Sequence, residues 1–76
     1  MNARRRKELM KISDKLMEIQ AELQYIYEEE QEAYDNTPES LQETDRYAES
    51  EEALSAMDDA DGAIQEAIDY LSDWIG

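Results

Sequence analysis

Seventy-six residues make one domain at most, and a net charge of −14 makes that domain strongly acidic. Cysteine and histidine are both missing. Their absence removes a disulfide framework, a thiolate zinc site, the commonest general base and the commonest metal ligand. No apolar run approaches the ~20 residues of a membrane span, and the first residues lack a secretory apolar core. A cytoplasmic protein with no membrane partner is therefore expected.

The charge is unevenly spread. Six of the seven basic residues (Arg4, Arg5, Arg6, Lys7, Lys11, Lys15) lie in the first fifteen positions, opposed there only by Glu8 and Asp14. Residues 1–15 carry +4 and residues 16–76 carry −18. High charge accompanies disorder when a chain has too little apolar surface to bury. Here the apolar spacing is regular, which argues for folded helices.

In the first segment Leu9, Ile12, Leu16, Ile19, Leu23 and Ile26 follow one another in steps of three and four residues. Ala33 extends the series and Glu30 interrupts it. Such a seam, free of Gly and Pro, predicts a helix over about 3–34, roughly 48 Å long. Met10 and Met17 lie beside the seam, with Tyr27 and Tyr34 farther round the same side. Tyr25 falls on the opposite side and is a candidate for an aromatic contact with another molecule.

Residues 35–46 read Asp-Asn-Thr-Pro-Glu-Ser-Leu-Gln-Glu-Thr-Asp-Arg and divide the two periodic segments. Thr37 is expected to cap a new helical turn, Pro38 suits its first position, and Glu39 suits its positive end. A short helical turn over 38–42 is predicted. Thr44 or Asp45 then caps a second helix at about 47–75.

The second helix carries Leu54, Met57, Ile64, Ile68, Leu71 and Ile75 along its seam. Ala53, Ala60, Ala67 and Trp74 run beside it. Asp61 occupies a seam position, followed by Gly62, a weak spot for a helix. The run Asp58-Asp59-Ala60-Asp61-Gly62 fails as a calcium loop, because position one is Met57 and position twelve is Ile68.

The fold class expected is all-α, an antiparallel helical hairpin. If the turn centres near Leu41, facing residue numbers add to about 83, pairing Ile26 with Met57, Ile19 with Ile64 and Ile12 with Leu71. The same register brings Lys15 near Asp69 and Lys11 near Asp73. Both apolar arcs are wider than one partner helix covers, so a homodimer forming a four-helix bundle is expected.

The carboxylates lie on regular helix faces open to water, and acid–base catalysis needs two carboxyl groups in unlike environments. Without a phosphate loop or a histidine, no catalytic, cofactor or metal site is expected. The basic run is read as a counter-charge for the acidic helix, and the rest of the chain repels nucleic acid. The acidic surface has two readings: a solvated face, or a mimic of a phosphate backbone. The candidate protein-binding residues are Glu28, Glu29, Glu32 and Asp35 on the first helix, with Glu49, Glu51, Glu52, Asp58 and Asp59 on the second. Carboxylates one helical turn apart are ~5–6 Å apart, near the phosphate spacing of a strand.

The basic opening Asn2–Lys7, the linker segment 28–46 with its core Asn-Thr-Pro-Glu-Ser-Leu-Gln, and the acidic Ala/Ile-rich segment 51–75 resemble a group of small acidic helical proteins of bacteriophages and prophages. The likeness spans nearly the whole chain. It implies a phage setting, in which small acidic proteins often inhibit host defence nucleases, as anti-CRISPR and anti-restriction proteins do. The expectation is a non-enzymatic protein that binds a host nucleic-acid-binding defence complex as a DNA mimic. The alternatives are a scaffolding dimer whose charge serves solubility, and a helical sponge for a small signalling ligand.

Overall fold

The computed structural model describes residues 1–75. Two helices, α1 (Ala3–Asp35) and α2 (Asp45–Ile75), are joined by a 3-10 turn at Glu39–Leu41. They pack antiparallel as a rod of 59 × 15 × 13 Å. Neither helix is long and apolar enough to cross a membrane.

Local hydrogen bonds explain where each helix starts and stops. Asn2 caps α1, its side-chain oxygen accepting the Arg5 N–H at 2.9 Å. At the other end of α1 the Asn36 N–H reaches the Glu32 carbonyl at 3.0 Å. Thr37 was expected to cap the turn ahead of it. Instead its hydroxyl donates backwards to the Ala33 carbonyl at 2.9 Å. Pro38 is itself extended, with ψ 146°, so the turn starts only at Glu39 and Thr37 lies one residue too far ahead to cap it. The nearest unsatisfied groups are then the last carbonyls of α1. Thr44 accepts the Tyr47 N–H at 3.3 Å and so caps α2, which begins at Asp45, two residues before the expected position. Asp45 adds negative charge at the positive helix end. Through Asp58–Gly62 the backbone is continuous helix, which leaves no loop for a calcium ion.

The seam of α2 is the one its spacing predicts. Leu54 and Ile68 are the buried apolar side chains, 7% and 5% exposed, and Met57, Ile64, Leu71 and Ile75 are half-buried beside them. The seam of α1 is a correction. Leu9, Leu16 and Leu23 face α2 as expected, but the second strip is Ser13, Gln20, Tyr27 and Tyr34, not the isoleucines. Ile12, Ile19 and Ile26 remain 48%, 48% and 54% exposed. Thus α1 is turned by one heptad position relative to the predicted pairing.

Contacts between the helices account for that rotation. Tyr34 stacks on Tyr47 with ring centroids 4.3 Å apart and planes 11° from parallel. Glu30 accepts the Ser50 hydroxyl at 2.6 Å, and the Gln20 and Gln65 amides bond at 2.9 Å. These pairs add to 81, 80 and 85, close to the expected 83. The lengthwise register is therefore near the expected one, and only the rotation of α1 differs.

Candidate acidic interface

All nine carboxylates proposed for protein binding are exposed: Glu28, Glu29, Glu32 and Asp35 on α1, and Glu49, Glu51, Glu52, Asp58 and Asp59 on α2. They do not share one face. Glu49 lines a groove with Ile26, Arg46 and Ala53 on one side of the seam. Asp58 lines a groove with Gln24 and Tyr27 on the other side. The acidic residues form a sleeve around the rod.

The sleeve belongs to one half of the molecule. Residues 21–61, the half that contains the turn, hold fifteen carboxylates against the single cation Arg46, a side-chain charge of −14. The remaining residues hold six bases and six acids and sum to zero. Among the described residues the one ion pair is Arg4–Glu8, at 3.1 Å and at the open end. The expected pairs Lys15–Asp69 and Lys11–Asp73 are not made. All four side chains are exposed, where an ion pair gains little over the entropy of fixing two long side chains. Arg6 instead donates to the Trp74 carbonyl at 3.1 Å.

Neutral donors contact part of the sleeve. The Gln31 amide donates to Asp35 at 2.9 Å, and the Gln24 amide to Glu28 at 3.4 Å. Tyr25 is 64% exposed on the outer surface. A hydrogen bond with Glu29, together with that carboxylate's charge, pushes its pKa up. An aromatic donor thus sits within the carboxylate array.

A half-open cavity of about 530 Å³, which hydrophobic spacing did not foretell, lies against the turn. Its walls are Ala33, Thr37, Pro38, Leu41 and Tyr47, with Glu30 and Arg46 at its edge. Leu41 is half exposed there. The cavity offers one carboxylate already held by Ser50, one guanidinium and no nucleophile–base pair. The seven-residue recurrence of Ser13, Gln20, Tyr27 and Tyr34 was the available signal for the true α1 seam. Its polarity hid it. Among the described residues no three acidic side chains converge as a metal site would require.

No protein-family model, curated protein or solved structure matches the chain.

Proposed function

We propose that this chain is a non-enzymatic bacteriophage accessory protein that acts in the cytoplasm of a bacterial host. It binds a host nucleic-acid-binding protein through its acidic half, as a DNA-mimicking inhibitor of a defence nuclease complex, and it works as a homodimer. The observation that supports mimicry is the density of unneutralised charge. The turn half carries −14 over half of a 59 Å rod. That is roughly one charge per 2 Å of axis, against one per about 1.7 Å in duplex DNA. A basic channel built to release counterions from DNA meets a similar field here.

The test begins with capture of the target from host lysate and continues with the purified target in a DNA-binding or nuclease assay. Inhibition should weaken as salt rises and should be relieved by excess DNA. Replacing Glu28, Glu29, Glu32, Glu51 and Glu52 with lysine should cost at least tenfold in binding while circular dichroism stays helical. Replacing Arg4, Arg5 and Arg6 with glutamate should change binding far less. Unchanged inhibition by the five-lysine variant overturns mimicry.

A scaffolding dimer is the second reading, and the open isoleucine flank of α1 favours it. A scaffold binds its partner without competition from DNA, which separates the two.

A further inference from the structure

Rotation of α1 leaves two apolar strips on the same side of the rod. On α1, Ile12, Ile19 and Ile26 recur every seven residues and are about half exposed. On α2, Ala53, Ala60 and Ala67 recur every seven residues, with Trp74 next in the series and 56% exposed. Ile26 and Ala53 line one groove, so the strips are neighbours.

We propose that this isoleucine–alanine face is where a second copy of the chain docks, with the two rods running in opposite directions. Three observations select that occupant and that direction. The first is charge. Parallel rods would place one −14 half against the other, whereas opposed rods place each −14 half against a neutral half. Like charges on apposed surfaces are strongly disfavoured.

The second observation is symmetry. A two-fold axis lying in the interface, across the rods, makes the contact self-complementary. Ile12 and Ile26 are equidistant in sequence from Ile19, and Ala53 and Ala67 from Ala60. With the axis near Ile19 and Ala60, Ile19 meets Ile19 of the second copy and Ile12 meets Ile26. The alanines let the α2 helices approach closely. Arg46 and Trp74 are also equidistant from Ala60, so the lone cation of the acidic half is brought to an aromatic ring. The third observation is size. The rod is 59 Å long and 13–15 Å across, so one whole side of it offers at most roughly 800 Å² per copy, the area of a standard stable interface.

This inference stands apart from mimicry, since it concerns the chain alone and needs no target. The chain lacks native cysteine, so cross-linking can be read directly. Under mild oxidation, full-length Ile19→Cys should become mostly disulfide-linked dimer. Tyr25→Cys, on the outer surface, should stay mostly unlinked. Ile12→Cys mixed with Ile26→Cys should link more than either alone. Sedimentation equilibrium of the unsubstituted chain should give twice the chain mass at micromolar concentration. A monomer mass overturns the proposal, whatever the variants do. Linking of Ile19→Cys no faster than of Tyr25→Cys also overturns it. Linking of Ile19→Cys with Ala60→Cys in preference to itself overturns the opposed direction, because parallel rods place α1 over α2.

Discussion

In the turn half of the rod Tyr34 stacks on Tyr47, Thr37 and Thr44 close two helix ends, and fifteen carboxylates meet one guanidinium. In the open half the ends are joined by the bond from Arg6 to the Trp74 carbonyl, and acids and bases balance. Each half nonetheless holds one well-buried apolar anchor, Leu54 in the first and Ile68 in the second. Packing is shared evenly, and charge is not. The turn half thus bears a self-repulsion that hairpin formation does not require, and the aromatic stack and threonine bonds hold it together against that repulsion.

The largest expected effects test the even packing. Leu54→Ala and Ile68→Ala should each cost about 2–5 kcal/mol, because each removes a buried side chain from a core that closes incompletely. Urea unfolding followed by circular dichroism measures both. Costs differing by more than about 2 kcal/mol would show that one half carries the seam. Ionic strength should then separate the halves. Added salt should raise the melting temperature of the parent chain by screening the turn half. The five-lysine variant should lose most of that response, while the Arg4–Arg6 glutamate variant should keep it.

The two helices differ in how far their packing could be read in advance. In α2 the apolar residues of the seam outrank everything beside them, since the next strips are alanines and acids, so spacing alone identified Leu54 and Ile68. In α1 three strips compete: leucines, isoleucines on one flank, and methionines and tyrosines on the other. One partner helix covers only about two heptad positions. The choice fell to Tyr34 on Tyr47 and Glu30 on Ser50, contacts set by the turn and invisible to hydrophobic counting. The same limit applied at Thr37, where composition marked a capping residue and only the ψ of Pro38 decided which helix it serves. The carboxylates of the candidate interface were legible as exposed groups. Their wrapping into a sleeve depended on the rotation of α1 and was not.

Two substitutions in α2 and its cap should shift stability by smaller amounts and in opposite directions. Thr44→Ala should cost about 1 kcal/mol through loss of the cap on the Tyr47 N–H. Gly62→Ala should stabilise by about 1 kcal/mol. The residue sits within α2, and the space where a Cβ would stand is open to 4 Å. Thermal melts of the two variants check both signs. A destabilised Gly62→Ala would mean that this outer surface is covered by something other than solvent.

The smallest expected effect lies at high pH and belongs to the turn half alone. The hydrogen bond with Tyr47 holds the Tyr34 hydroxyl in its protonated form, with help from desolvation and from the charges of Glu51 and Asp35, and pushes its pKa from 10 up to about 12. The folded chain therefore keeps this proton at pH values where the unfolded chain has released it. Stability from this group is complete below pH 10 and is lost as pH rises through about 12. Melting temperature should accordingly fall across that window. Tyr34→Phe should flatten the fall while keeping the ring that stacks on Tyr47. Tyr25 supplies the comparison, since its pKa is also raised but its ring stands in water on the outer surface. Tyr25→Phe should leave most of the alkaline fall in place. An equal flattening by both substitutions would place the alkaline sensitivity in the general acidity of the sleeve, and would remove the stack as a distinct lock on the turn.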